Sequence, residues 1–174
     1  MKNLKLLSVL VLLAFLGACT TVKSVNQLGK DNYILDKDEW EGTWIAGDGS
    51  LQLYIVDIKL AEIEIVFIEK GEIKKYQVFL RQNGKDSYMN LVAEDGRYYF
   101  AKYIKRKNQI ITWLPSIKML KTAISNRKLE GIINEEKDLL IKSDKNTLNK
   151  YFIENKGKML FEYEEPFVFR KLVE

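Results

Sequence analysis

The strongest constraint on the fold of this chain is a period-two alternation of apolar and polar side chains between Trp44 and Leu114. In residues 51–55, for example, Leu, Leu and Ile occupy the odd positions, while Gln and Tyr occupy the even ones. Successive side chains of a β-strand point to opposite faces, so each such run indicates a strand with one buried face. Turn signals such as Asn83-Gly84 separate the runs. The pattern predicts an antiparallel meander, because parallel strands give continuous apolar runs separated by helices.

After Pro115 the pattern changes to short helices and strands. The spacing of Ile117, Leu120 and Ile124 predicts one short helix, and a second is expected from about Asp144. Further strands are predicted at 137–142, 158–163 and 167–172. We therefore expect a mainly β fold with two short helices, in which the antiparallel meander closes into a small barrel or a strongly curved sheet. Closure is favoured because it removes the exposed edges of a long meander.

The amino terminus has the layout of a secretory signal. Lys2 and Lys5 precede an apolar run of 11 residues, which is shorter than the roughly 20 residues that a membrane-spanning helix needs. The last residue of this run begins the sequence Leu16-Gly17-Ala18-Cys19, which resembles the lipobox of bacterial lipoproteins. This resemblance implies that Cys19 becomes the first mature residue and carries acyl chains that anchor it in the membrane. It also implies an outer-membrane location facing the periplasm in a Gram-negative host, because Thr20 replaces the aspartate that signals inner-membrane retention.

Three segments follow from this interpretation: a lipoprotein signal peptide at 1–18, a lipidated cysteine with a flexible tether at 19–38, and a single β-rich domain at 39–174. The tether is polar, and a flexible coil of about 20 residues would span roughly 25 Å. We therefore expect the domain to stand away from the lipid headgroups. Removal of 1–18 leaves 26 Lys and Arg residues against 24 Asp and Glu residues, so the mature protein is nearly neutral.

Composition excludes most familiar catalytic chemistry. The chain has no histidine and one cysteine, which rules out histidine-based triads, His or Cys zinc sites and an internal disulfide. Residues 125–128 match a Ser-x-x-Lys nucleophile motif, but the supporting motifs are missing. Glu62 and Glu64 lack any cleft signal and are interpreted as surface acids. We predict a protein that is not an enzyme, with no catalytic residue, no metal and no cofactor.

Gly42-Thr43-Trp44, just before the first strand of the meander, is similar to the Gly-x-Trp signature of lipocalins. In that family the tryptophan closes the barrel floor and a late arginine packs on it. The resemblance implies that Trp44 forms the floor, with Arg170 or Arg127 as its cation–π partner. An eight-stranded barrel is just wide enough for one small ligand. We expect an apolar or envelope-derived ligand near four aromatic residues: Trp44, Tyr54, Tyr76 and Trp113.

Bulky side chains leave a filled barrel open as an alternative. The candidates for inward positions are Phe67, Tyr76, Phe100, Trp113, Phe161 and Phe169. If they all point inward, the cavity is small or absent.

A second functional hypothesis concerns residues 102–128, which hold eight basic residues and no acidic one. Such a stretch favours a structural or interaction lipoprotein that docks on an anionic envelope surface or on a partner protein. The residues expected to carry this surface are Lys105, Arg106, Lys118 and Lys121. Alternatively, these cations form a solvated face that blocks edge pairing. Nucleic acid is not an expected partner behind a secretion signal.

Overall fold

A computed structural model describes residues 21–47, 49–69, 72–134 and 138–173. The predicted signal peptide and the predicted lipidation site Cys19 lie outside the described residues. The strands are β1 (Val22–Ser24), β2 (Asp31–Asn32), β3 (Gly42–Ala46), β4 (Gly49–Asp57), β5 (Glu62–Glu69), β6 (Glu72–Asn83), β7 (Asp86–Val92), β8 (Tyr98–Arg106), β9 (Gln109–Trp113), β10 (Gly131–Ile133), β11 (Leu139–Ile141) and β12 (Phe167–Lys171). The helices are α1 (Lys37–Trp40), α2 (Ile117–Ser125) and α3 (Lys145–Glu154). Within these ranges, no helix is long and apolar enough to cross a membrane.

The meander closes into an eight-stranded antiparallel barrel. Strands β3 to β9 pair in sequence order, and β12 pairs with both β9 and β3 to complete the ring. Leu53 of β4 and Ile63 of β5 occupy odd positions, point into the lumen and are buried. The predicted mainly β fold, with a meander that forms a small lipocalin-like barrel, is confirmed.

The two ends of the barrel differ. At the floor end, where β3 begins and β8 ends, α1 crosses the opening and buries Trp40 together with Leu35. At the mouth end, where β8 begins and β5 meets β6, the inward side chains of Tyr76 and Phe167 are only partly buried. The lumen is therefore closed at the floor end and less covered at the mouth end.

A second core lies outside the barrel. Strand β1 pairs with the start of β8 and is followed outward by β11 and β10, so these three strands extend the sheet beyond the barrel. Helices α2 and α3 cover this extension and the outer face of β7 and β8, where Tyr88 and Phe100 are buried. Of the predicted inward aromatics, Phe67, Tyr76 and Phe169 belong to the barrel core, whereas Phe100, Trp113 and Phe161 belong to this second core.

The predicted flexible tether is wrong for its described part, residues 21–38. We call residues 25–30, which follow β1, the strap; they cross the outside of the barrel from β8 to β6 and are held beneath α3. Leu28 of the strap is fully buried, and its N–H donates to the Asn90 side chain at 2.7 Å. Gly29 has a φ of +105° and passes so close to Arg81 that a Cβ would clash. This polar sequence is not a solvated one, because its backbone, rather than its side chains, makes many of the contacts.

Smaller differences concern the carboxyl-terminal third. The predicted helix from Asp144 is confirmed as α3, and the Asp144 carboxylate accepts hydrogen bonds from the amides of Asn146 and Thr147. The predicted strand at 158–163 is wrong, since Phe161 makes only an isolated bridge to Pro115. The four-residue helix α1 was not predicted, because a single turn gives no helical periodicity.

Candidate functional site

The floor of the barrel is an aromatic cluster around Trp44. The Trp44 side chain is fully buried, and its indole N–H donates to the Trp40 carbonyl oxygen at 2.9 Å. The Trp40 ring lies edge-on to Tyr33 and Tyr103, with ring centroids 5.8 Å apart in both pairs. Burial raises the pKa of Tyr103 well above its ordinary value, so this phenol stays neutral. The cluster makes the floor a rigid, water-excluding surface.

Lys105 supplies the cation that completes this floor. Its side chain is only 3% exposed, and its ammonium lies 5.6 Å from the Trp44 ring centroid and 5.9 Å from that of Trp40. The ammonium donates to the Lys107 carbonyl at 2.6 Å and lies 3.6 Å from the Glu39 carboxylate. Burial lowers the pKa of Lys105, and the nearby Glu39 opposes that shift. Cation–π attraction and these oxygen atoms compensate for the lost water.

The two arginines expected to pack on Trp44 do not occupy this position. Arg170 is exposed on the outer face of β12, because the inward residues of that strand are Phe167 and Phe169. Arg127 is exposed in the turn after α2, where its φ of 57° is left-handed. Trp44 thus lies in the floor beside a different cation, which comes from β8.

A small apolar cavity lies above the floor, inside the barrel. Its volume is about 30 Å³, which is room for about two water molecules. The side chains that line it are all apolar and come from six strands: Trp44, Leu51, Leu53, Ile63, Ile65, Met89, Ile110 and Phe169. A site of this kind has no group that could orient a polar ligand. It suits a narrow apolar group, such as the end of an alkyl chain.

The four aromatic residues predicted to surround a ligand are not brought together. Trp44 lines the cavity, and Tyr76 stacks on Phe67 at the mouth end with ring centroids 5.6 Å apart. Tyr54 lies on the outer face of β4 and is about half exposed. Trp113 packs against the second core and contacts Tyr163. Tyr54 and Trp113 therefore do not face the lumen.

The predicted basic surface is divided by the fold. Lys105 is buried in the floor, and Arg106 is exposed next to it at the end of β8. Lys118 and Lys121 lie on α2, which begins only after β9 has run the length of the barrel away from that end. The four residues therefore do not form one patch.

Lys102, at the start of the basic stretch, interacts with neighbouring side chains. Its ammonium lies 2.6 Å from the Asp86 carboxylate and 5.6 Å from the Tyr163 ring centroid. Burial alone would lower the pKa of Lys102, but hydrogen bonds with Asp86 and Tyr163 outweigh it, and the pKa is raised. Lys102 is thus charged, and its ammonium finds its partners within the fold.

Sequence reasoning missed two components of the floor, Trp40 and Lys105. Trp40 ends α1 and Trp44 lies in β3, so no single periodicity in the sequence indicates that the Trp44 indole bonds to the Trp40 carbonyl. Nothing local distinguishes Lys105 from the other cations of its stretch. In the described residues, no group of three or more Asp, Glu, Cys or His side chains is placed to hold a metal ion.

Comparisons with known proteins add no family to this description. No protein-family model matches the chain, and neither a curated protein nor a solved structure is significantly similar to it.

Proposed function

We propose that the protein is a lipid-anchored envelope lipoprotein whose barrel is a non-catalytic binding module for a narrow apolar ligand. The lipobox-like sequence ending at Cys19 supports the anchor. The observation that carries the binding function is the cavity, which is lined by apolar side chains throughout and lies above a floor sealed by Trp44 and Lys105. A burial site without polar groups selects ligands by shape and apolar area alone.

The size of the cavity narrows the class of ligand. At about 30 Å³ it holds a terminal methyl or ethyl group and no ring. The remainder of a longer ligand would lie between Phe67, Tyr76 and Phe167 at the mouth end, where the inward side chains are aromatic. A linear hydrocarbon chain fits this geometry, because each methylene that leaves water contributes about 0.8 kcal/mol.

Native mass spectrometry tests this proposal without a guess about the ligand. The domain from Thr20 onward, purified from a periplasm without detergent, is expected to carry an apolar adduct that is lost on denaturation. Ile110→Phe places a larger side chain in the cavity and should remove the adduct. Ile104→Phe, an equal change at an exposed site, should keep it. An adduct that survives Ile110→Phe unchanged would place the ligand elsewhere.

A second candidate function is favoured by one observation on α2. Lys118, Lys121, Arg127 and Lys128 follow one another without an acidic residue, and the described residues include no ion pair to any of them. This surface would attract anionic headgroups, at about 1 kcal/mol per cation. This surface contains only part of the predicted basic docking surface, because Lys105 is buried in the barrel floor.

Vesicle binding separates this candidate from the first. The domain without its anchor is mixed with phosphatidylcholine vesicles that contain or lack phosphatidylglycerol. Lys118→Glu with Lys121→Glu should lower affinity for the anionic vesicles by at least about tenfold. The control reverses two exposed lysines on the α3 side, Lys145→Glu and Lys156→Glu. Equal losses in both variants would mean that only net charge matters and would refute a specific α2 surface.

A further inference from the structure

The described chain begins almost at the predicted anchor. The Thr21 N–H donates to the Asp138 carboxylate, and the Thr21 carbonyl accepts from the Leu139 amide at 2.8 Å, so Thr21 is fixed in the sheet. Two peptide units separate Cys19 from Thr21 and span at most about 7 Å. If Cys19 is acylated as proposed above, the domain is held close to the bilayer.

The register of the sheet relates this anchored end to the β4–β5 loop. The β1–β8 register places Thr21 level with Ala101. Ala101 pairs with Met89 of β7, and Met89 pairs with Leu80 of β6. The Leu80 amide donates to the carbonyl of Ala61, just before β5, at 2.9 Å. One row of the sheet therefore runs from Thr21 to Ala61 across four strand spacings of about 4.8 Å each, or roughly 19 Å.

Strands β1 and β5 start from the same end of the domain. Strand β1 is antiparallel to β8, and β5 is antiparallel to β6. Both β6 and β8 end at the floor end of the barrel. The amino-terminal ends of β1 and β5 therefore both point to the floor end, one towards Cys19 along the chain and the other towards the β4–β5 loop.

An exposed aliphatic patch surrounds the β4–β5 loop at the floor end. We call it the floor patch, and the exposures of its members range from 49% to 86%: Ile34, Val56, Ile58 and Leu60. Ile34 lies beside the loop because the Asn32 side chain, two residues earlier, donates to the Lys59 carbonyl at 2.6 Å. Exposed apolar side chains that are grouped in this way are typical of a surface that meets another apolar phase.

The charged residues within the loop suit contact with lipid. Asp57 and Lys59 carry opposite charges, and the Asp57 carboxylate accepts from the Leu60 amide at 2.9 Å. Lys59 is exposed between Ile58 and Leu60, so its methylene stem can lie beside them while its ammonium reaches a headgroup phosphate. Because the floor patch is uncharged, the contact should depend on apolar area and respond little to salt.

We infer that the floor end of the barrel rests on the bilayer, with the floor patch in the boundary between headgroups and acyl chains. This inference rests on the proposed anchor. Ile73, an exposed residue of the mouth end, lies seven residues from Leu80 on the other side of the row, or roughly 23 Å along β6. The partly covered mouth therefore opens away from the membrane, and a ligand of the lumen enters from the aqueous side.

Site-directed fluorescence in the full lipidated protein tests this orientation. Acylation consumes the thiol of the chain's single cysteine, so Ile58→Cys provides one reactive thiol for an environment-sensitive fluorophore. The matched control is Ile73→Cys, because these two isoleucines are 56% and 66% exposed. In phosphatidylcholine vesicles with spin-labelled acyl chains, the label at 58 should be quenched several-fold more than the label at 73.

A pair of variants tests whether the aliphatic side chains make the contact. In the protein labelled at 58, Ile34→Ser with Leu60→Ser should lower the quenching towards that of the label at 73. The control, Ile45→Ser with Ile68→Ser, removes two exposed isoleucines near the mouth end and should leave the quenching at 58 unchanged. Equal quenching in the two variants would overturn the role of the floor patch.

The mass of the mature protein keeps the possible failures apart. A mass without acyl chains would refute the proposed anchor, and this inference with it. Acylated protein in which both labels remain in water, in which both are quenched equally, or in which 73 is the more strongly quenched site would overturn the inferred orientation and leave the anchor intact.

Discussion

The Asn90 side chain holds the strap on the barrel, and its replacement tests whether the residues that follow the proposed anchor are part of the folded domain. Its side chain is fully buried. Its oxygen accepts from the Leu28 N–H at 2.7 Å, and its amide group donates to the Leu28 carbonyl at 3.0 Å and to the Phe79 carbonyl at 3.3 Å. Asn90→Leu keeps a side chain of similar size and removes all three bonds.

The expected loss can be worked out from the groups left behind. Both backbone groups of Leu28 would be buried without a partner, and each such group costs about 1–3 kcal/mol. We therefore expect the free energy of unfolding to fall by about 2–6 kcal/mol. In a chain of this size, each kcal/mol corresponds to about 2–4 °C in Tm, so the smallest expected shift is about 4 °C.

Urea unfolding followed by circular dichroism, together with a thermal scan, measures this loss. The control is Asn146→Leu, an asparagine exposed on α3, which should stay within about 0.5 kcal/mol. A loss below about 1 kcal/mol for Asn90→Leu would refute the reasoning, since it would mean that the strap separates from the barrel at little cost.

Three further changes test other parts of the fold. Trp44→Ala should lower the free energy of unfolding by about 3–5 kcal/mol in the same urea assay, because it empties the floor; a loss below about 1 kcal/mol would contradict the described burial. Gly131→Ala should destabilise, since its Cβ would meet a carbonyl oxygen of β11 at 2.7 Å, whereas Gly157→Ala, with open space around it, should not; equal Tm values would refute this. Above about pH 10 the unfolded chain loses the Tyr103 proton that the folded state retains, because burial raises the pKa of Tyr103. Tyr103 should therefore make stability fall as pH rises, by up to about 1.4 kcal/mol per unit, and Tyr103→Phe should make the fall less steep by that amount in urea titrations at several pH values. The other buried tyrosines, such as Tyr88, contribute the remainder of the fall.

Alternation determined more of this fold than any motif did. The runs around Leu53 and Ile63 predicted strands with one buried face, and those faces do line the lumen. The period is two whatever the strand later pairs with, so it can be read without tertiary information. For the same reason it does not say which core covers the buried face. Phe100 and Phe67 carry the same signal, yet one lies beneath the helices and the other in the barrel.

The candidate site, too, could be predicted from the sequence only in part. Trp44 could be placed in the floor from three residues of sequence, but its cation could not, because Lys105 of β8 comes close to Trp44 of β3 only when β12 pairs with both β9 and β3 and closes the barrel. The lipobox-like pattern remains a sequence-based prediction, since Cys19 lies outside the described residues.

What the sequence by itself determined is therefore local: which stretches of the meander are strands, and which face of each strand is apolar. Only the tertiary structure decided that β1 joins β8 and that Leu28 and Gly29 of the strap are buried beneath α3. It also decided that the barrel encloses a cavity of about 30 Å³. These properties depend on contacts between residues far apart in the chain, such as Gly29 with Asn149, and no local pattern encodes such contacts. The same polar sequence is therefore compatible with a free tether and with a packed strap. Only the fold distinguishes the two, because it supplies hydrogen-bond partners for the backbone.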